Sequence, residues 1–220
     1  MKQLALDIVQ PVFPSFDNFV PGRNAEALAH VRAALASAAA SKSERFIYLW
    51  GAPGSGRTHL LKAAAMRAGG RYVACPASDF DDDAGVLAVD DVEALDEAAQ
   101  VALFHRYNRL REQGGALLAS GATPPTQLKL RADLLTRLAW GLVLELHALS
   151  DDEKLHALKQ HAHARGFKLP DEVAAYLLTH APRGMGALFA MLDALDKASL
   201  ANKRAITVPL LRDVLSQKIV

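Results

Sequence analysis

Cysteine is nearly absent: Cys75 stands alone among 220 residues. That excludes an internal disulfide and a zinc site built from four thiolates, and it fits a reducing compartment. Excess charge of either sign is missing too. Twenty-five Lys and Arg face 24 Asp and Glu, leaving a formal net charge of +1, so no overall field holds a phosphate backbone, which argues against a DNA-coating protein. No segment approaches about 18 uninterrupted apolar residues, the length of a membrane helix, and Met1 to Pro11 has no basic stretch leading into an apolar one. The expectation is a soluble, cytoplasmic protein with no membrane partner. There is no G-x-S-x-G elbow, and Cys75 lacks the basic neighbours that make a thiolate nucleophile. His161 and His163, two apart on a helix, point in different directions and do not form a metal pair. No internal repeat occurs.

What is present suits a folded core. The chain is 51% hydrophobic and 22% charged, and its length fits one large domain with a small satellite. Pro11, Pro14 and Pro21 mark residues 1–22 as an extended segment. Asn24 is expected to cap an alanine-rich helix running to about Ala40. Phe46 to Trp50 reads as a buried strand, and Thr58 to Ala68 as the helix that follows it. Apolar runs at Tyr72–Ala74, Val86–Val89, Ala116–Ala119 and Leu142–Leu146, separated mostly by helical stretches such as Glu97–Glu112, predict a parallel sheet covered on both faces. After Ser150 the strand signals stop, and Asp151–Arg165, Pro170–His180, Gly184–Leu200 and Val208–Lys218 read as helices. The expected organisation is an extended segment at 1–22, an α/β domain at 23–150 and a helical domain at 151–220.

The chemistry concentrates where the first strand ends. Gly51-Ala52-Pro53-Gly54-Ser55-Gly56-Arg57-Thr58 has the spacing of a phosphate loop, with Arg57 where Lys is usual. Glycines let backbone N–H groups turn inward around a phosphate, and the following helix adds its positive end. The Thr58 hydroxyl supplies a ligand for Mg²⁺. Arg57 keeps the charge but replaces a compact ammonium with a broad fork, which favours binding with poor turnover. Val86–Asp91 is an apolar strand ending in two carboxylates, of which Asp90 can hold a Mg²⁺-bound water and Asp91 can orient an attacking water. Asp81 to Asp83 read as a solvated loop. Ser120 ends another strand; it either reaches a γ-phosphate or serves as the turn residue before Gly121, and the residues do not decide.

Together these features resemble the AAA+ ATPases, and within them the DnaA family. Phe16 to Asn24 looks like that family's entrance motif F-x-x-F-V-x-G-x-N, which implies that Phe16, Phe19 and Val20 lie at the adenine; His59, in the helix after the loop, is a further nucleotide-binding candidate. Leu117–Pro125 and Asp133–Gly141 look like the first sensor and the arginine-finger box, which implies that Arg137 is the finger. Arg183 falls where the second sensor arginine sits. The implied fold is an α/β AAA+ P-loop NTPase, a parallel sheet flanked by helices, with a C-terminal helical lid. With the chain ending at Val220 just after the lid, no helix-turn-helix DNA-binding domain is expected. Arg57 and the segment Gln3-Leu4-Ala5-Leu6-Asp7-Ile8 further resemble the Hda family of regulatory inactivators of DnaA. Its members bind ADP, dock on the DNA polymerase III sliding clamp (beta subunit) through such a peptide, and promote ATP hydrolysis on the initiator DnaA. Gln3, Leu4, Leu6 and Ile8 are then the clamp-binding residues, ADP or ATP with Mg²⁺ the cofactors, and DNA is contacted mainly through the clamp complex; self-association stays open. Three departures stand out: Asp7 and Ile8 at the peptide's end, a short connection at Asp79–Ala84, and Ala122 where Asp is frequent. Two other functions compete, a self-sufficient ATPase such as a helicase loader and a truncated DnaA-like initiator that binds DNA. Arg57 and Ala122 weigh against the first, and the missing basic surplus against the second.

Overall fold

The computed structural model describes residues 13–36, 44–80, 83–181 and 184–217. By its contacts the chain divides into two compact units, one of residues up to Gly51 with Gly56–Leu146, the other of Ala52–Ser55 with His147 onward.

In the first unit, helix α1 (Ala25–Leu35) precedes strand β1 (Phe46–Trp50), helix α2 (Arg57–Ala68), and strands β2 (Arg71–Ala74) and β3 (Val86–Asp90). Helix α3 (Glu97–Gln113), strand β4 (Ala116–Gly121), helix α4 (Ala132–Leu138) and strand β5 (Leu142–Glu145) complete it. The five strands form one parallel sheet in the order β2-β3-β4-β1-β5. Because side chains alternate along a strand, each apolar run feeds both faces. Phe46, Tyr48, Leu87, Val89, Leu117 and Ala119 pack with Leu103, Tyr107 and Leu110 of α3 and Leu134 and Leu138 of α4. Ile47, Leu49, Ala88 and Leu118 pack instead with Ala27, Val31 and Ala34 of α1 and Leu60, Leu61, Ala64 and Ala65 of α2. Each fully buried leucine contributes roughly 1.5–3 kcal/mol, so the two layers fix which face of each strand is turned to α3 and α4 and which to α1 and α2.

Two local expectations need refining. Asn24 stands at the N-cap position of α1, as expected, but without a side-chain capping bond; it is buried and also closes a 3-10 turn at Gly22–Asn24. Its backbone N–H donates to the Pro21 carbonyl at 2.7 Å, so the turn rather than a side-chain cap starts the helix. Alanine carries no stop signal, and the helix ends at Leu35, where Ala36 turns extended at ψ 116°; residues 37–40 lie outside the described part. Ahead of α1, Ser15 and Asn18 close a turn on each other. The Ser15 N–H donates to Asn18 Oδ1 at 2.8 Å and the Asn18 N–H to Ser15 Oγ at 3.2 Å.

The second unit is helical: α5 (Asp151–Ala164), α6 (Asp171–His180), α7 (Met185–Asn202) and α8 (Val208–Gln217). Ser150 starts α5 with a capping box, its hydroxyl accepting from the Glu153 N–H while Glu153 Oε2 accepts from the Ser150 N–H at 2.7 Å. Leu158, Val173, Leu177, Leu188, Leu192 and Leu211 form its core. His161 ties α5 to α7, with its ring stacked on Phe189 and its Nε2 2.8 Å from Asp193 Oδ1. No helix among the described residues is long and apolar enough to cross a membrane.

Candidate nucleotide-binding site

The loop after β1 reaches α2 through Gly54 at φ 82° and Gly56 at φ 101°, a region open to glycine and costly to other residues. The Ser55 N–H donates to the Ala52 carbonyl at 3.1 Å, which tightens the turn. The helix α2 begins at Arg57, directly after Gly56, without a side-chain cap. Its first N–H groups therefore keep their donor capacity, and the helix dipole adds partial positive charge at the same point. Arg57 Nη1 and Ser55 Oγ are buried and have no hydrogen-bond partner among the described residues. A buried guanidinium nitrogen left unpaired fits an anion with acceptor oxygens, which is what a phosphate chain presents.

Asp90, at the end of β3, is 2% exposed. Three hydroxyls donate to its carboxylate: Thr58 to Oδ2 at 2.6 Å, Tyr72 to the same oxygen at 2.9 Å, and Ser120 to Oδ1. With its proton committed to Asp90, Thr58 Oγ1 keeps its lone pairs for another partner. One hydroxyl oxygen beside one carboxylate is the modest protein contribution that Mg²⁺ takes when phosphate oxygens and water complete its shell, so the residues fit that ion. Ser120, fully buried, also accepts from the Asp91 N–H at 3.2 Å. Its hydroxyl thus links the ends of β3 and β4.

Asp91 occupies the left-handed region at φ 56°, ψ 55°. Burial raises its pKa above the usual carboxylate value, the charge of Asp90 adds to this, and Arg57 opposes it. The Arg57 Nη2 to Asp91 Oδ1 distance is 3.5 Å, with the Arg57 side chain largely buried and that of Asp91 half exposed. The loop arginine therefore leans toward the second carboxylate of the strand end.

Phe19 closes one side of the loop. A Cβ added at Gly56 would lie 2.7 Å from Phe19 Cε2, and the Phe19 and His59 rings stand 5.4 Å apart, tilted by 49°. His59 Nε2 lies 2.9 Å from the Ser15 carbonyl oxygen. Burial holds the His59 pKa below its ordinary value despite that bond, which favours the neutral ring donating from Nε2. Phe16 is half-buried beneath Arg32, whose guanidinium carbon lies 5.5 Å from the ring centre. Val20 is half-buried between Phe19 and the turn into α1.

Residues 12–73 and 79–145 match the family model of the bacterial DnaA ATPase domain. The chain belongs to that family. Its residues 151–215 match the lid domain of Hda. Among solved structures, domain III of the DnaA replication initiation protein of Thermotoga maritima is similar at 19% identity and TM-score 0.69, over 92% of this chain and 95% of that one. An AMPPCP-bound DnaA from Aquifex aeolicus is similar at 23% identity and TM-score 0.66, over 86% and 67%. The RuvB Holliday junction branch migration motor of Thermotoga maritima is similar at 19% identity and TM-score 0.61, over 92% and 71%. These likenesses show the fold, an AAA+ parallel sheet flanked by helices, and the C-terminal helices fit a lid.

In this DnaA-type domain the structure gathers Gly56, Arg57, Thr58, Asp90, Asp91, Ser120, Phe19 and His59 around the ends of β1, β3 and β4. Gly51 is buried at the end of β1, and Pro53 is exposed at the loop tip. Arg137 lies elsewhere, on α4, with its guanidinium carbon 5.6 Å from the Phe104 ring centre and 5.8 Å from that of Tyr107. Arg183 and the residues Gln3, Leu4, Leu6 and Ile8 lie outside the described residues. Three further residues had no sequence signal of their own. Tyr72 reaches Asp90 only because β2 pairs with β3. Glu93 Oε1 accepts the Ala122 N–H at 2.9 Å, and the Tyr48 hydroxyl donates to the Thr123 carbonyl at 2.9 Å, so both hold the loop after β4. Burial and the charges of Asp91 and Asp90 push the Cys75 thiol up to about 12, which keeps it protonated.

Proposed function

We propose that this chain is a regulatory nucleotide-binding AAA+ protein that docks on the DNA sliding clamp and stimulates ATP hydrolysis by the initiator DnaA, so preventing re-initiation. The observation that carries the reading is the union, in one chain, of a DnaA-type ATPase domain with an Hda-type lid. The loop Gly51–Thr58 binds the phosphates of ADP or ATP through its backbone N–H groups and Arg57. Phe16, Phe19, Val20 and His59 bound the base. Thr58 and Asp90 hold Mg²⁺, which when bound neutralises charge on the phosphate oxygens. Asp91 is the group to orient an attacking water, but the Arg57 guanidinium beside its Oδ1 competes for that oxygen and makes it a weak one. That supports binding with little intrinsic turnover.

Arg137 then works on the partner's nucleotide. A finger acts from outside a phosphate site, on charge that the site's own loop and metal leave uncovered. Arg137 is held by two aromatic faces, and among the described residues no carboxylate pairs with it, so its charge stays available to a phosphate. The test is Arg137→Ala, assayed for ATP hydrolysis by DnaA on clamp-loaded DNA. Supplying such an arginine accelerates hydrolysis on the order of 10³ to 10⁵-fold, so the variant is expected to bind ADP and the clamp normally while losing nearly all stimulation. Stimulation equal to the wild type would refute the assignment of Arg137.

A further inference from the structure

Asp90 is more crowded than a carboxylate with one duty needs to be. An ionised carboxylate offers about four acceptor sites, two on each oxygen. Thr58 and Tyr72 both donate to Oδ2, and Ser120 takes one site on Oδ1. A single site remains, on Oδ1.

Tyr72 reaches this carboxylate by the register of the sheet. In the parallel pair β2 and β3, Tyr72 lies opposite Ala88 and Ala74 opposite Asp90. Side chains two apart share a face, so Tyr72, Ala88 and Asp90 all lie on the side covered by α2, where Ala88 packs and Thr58 lies in the helix's first turn. The phenol spans the diagonal between strands, a reach suited to an aromatic side chain. Lys62 of α2 stands 5.0 Å from the centre of the Tyr72 ring and holds the ring from the helix side.

We infer that Tyr72 is a positioning residue for the divalent cation: its hydroxyl fixes the plane of the Asp90 carboxylate, so that Thr58 must point its proton inward and its lone pairs out. Without the phenol, Oδ2 regains a free site and the carboxylate is held by two donors instead of three. The Thr58 hydroxyl then loses its single defined orientation, and the remaining Oδ1 site, the one left to accept from a water on the cation were it bound, loses its own. The inference rests on the reading that the loop takes a nucleotide with Mg²⁺. It adds a residue of β2 to a site otherwise built from the loop and the ends of β3 and β4.

The test is calorimetric titration of ADP into the full chain, wild type and Tyr72→Phe, each with Mg²⁺ and with EDTA in its place. Phenylalanine fills nearly the same volume, so affinity in EDTA is expected to stay within about twofold of wild type, which also shows that the fold is kept. The gain in affinity that Mg²⁺ gives the wild type is expected to shrink about tenfold in the variant, the size of one hydrogen bond to a charged group. An equal gain in both proteins overturns the inference. So does an equal loss with and without Mg²⁺, which marks a merely structural tyrosine. A wild type that binds ADP equally well in EDTA overturns it too while leaving the nucleotide reading intact, whereas a wild type that binds no ADP in either buffer refutes that reading itself.

Discussion

Replacing Gly56 by alanine adds one carbon at the point where the loop, the helix and Phe19 meet. The backbone there sits at φ 101°, ψ 8°, and holding an L-residue in the left-handed region costs roughly 1–2 kcal/mol. The new Cβ would lie 2.7 Å from Phe19 Cε2, too close for two carbons. Phe19 is 9% exposed and has little room to retreat, so overpacking adds about 1–3 kcal/mol. The sum, about 2–5 kcal/mol, corresponds to a fall in melting temperature of about 5–15 °C for a chain of this size. Thermal denaturation followed by circular dichroism measures it, and the two contributions separate in a double-mutant cycle with Phe19→Leu. Leucine removes the offending ring edge, so the double variant is expected to be about 1–3 kcal/mol more stable than the sum of the single losses. Additive losses would show that Phe19 does not touch Gly56, and an unchanged melting temperature for Gly56→Ala would show that the loop does not have the turn described.

Asp91→Asn tests the strand end. The pKa of Asp91 is raised from its ordinary value of 3.8, so ionising it costs folded-state stability as pH rises through that window, and the cost is absent below the unfolded-state value. Asparagine tolerates the left-handed backbone; the variant is expected to melt roughly 1–3 °C higher than wild type at pH 7, a small gain because the side chain is half exposed. Below pH 4 the two should melt alike, and a gain of the same size at both pH values would contradict the argument. Leu6→Ala combined with Ile8→Ala is expected to weaken clamp capture by at least roughly tenfold, two apolar side chains having lost their pocket, with ADP affinity unchanged. A pull-down in which the double variant still captures the clamp would overturn the peptide assignment.

The sheet was legible because its central strands β1, β3 and β4 are buried on both faces and read as uninterrupted apolar runs, and all five runs fall within a residue or two of the observed spans. The loop was legible because its glycines sit at fixed offsets between a strand and a helix. Ser150 marked the start of α5, and the capping box it forms with Glu153 is the local chemistry behind that boundary. What escaped depends on neighbours distant in sequence. Tyr72 lies 18 residues before Asp90, and nothing in either segment states that β2 and β3 are adjacent and in that register. The end of α1 escaped for the opposite reason: an alanine-rich run favours helix at every residue and signals no boundary. Asn24 stands at the N-cap position that its chemistry announced, but a backbone bond of the preceding turn, from its own N–H to the Pro21 carbonyl, takes the place of a side-chain cap. The aromatic seat of Arg137 joins α3 to α4 and likewise needed the fold to be seen.

The strand order has a consequence for how the chain is made. β1 is the first strand to be synthesised, yet both of its neighbours in the sheet, β4 and β5, come after all the others. Phe46 pairs with Leu117, about 70 residues later, so at a synthesis rate of roughly 5–20 residues per second the run Phe-Ile-Tyr-Leu-Trp waits several seconds for its first partner. During that interval five consecutive apolar and aromatic residues with open edges have nothing to pair with, the feature that makes a nascent segment prone to mispairing with another chain. Placing β1 second from the edge of the finished sheet thus leaves this wholly apolar strand, of those described, to depend longest on whatever shields it at the ribosome.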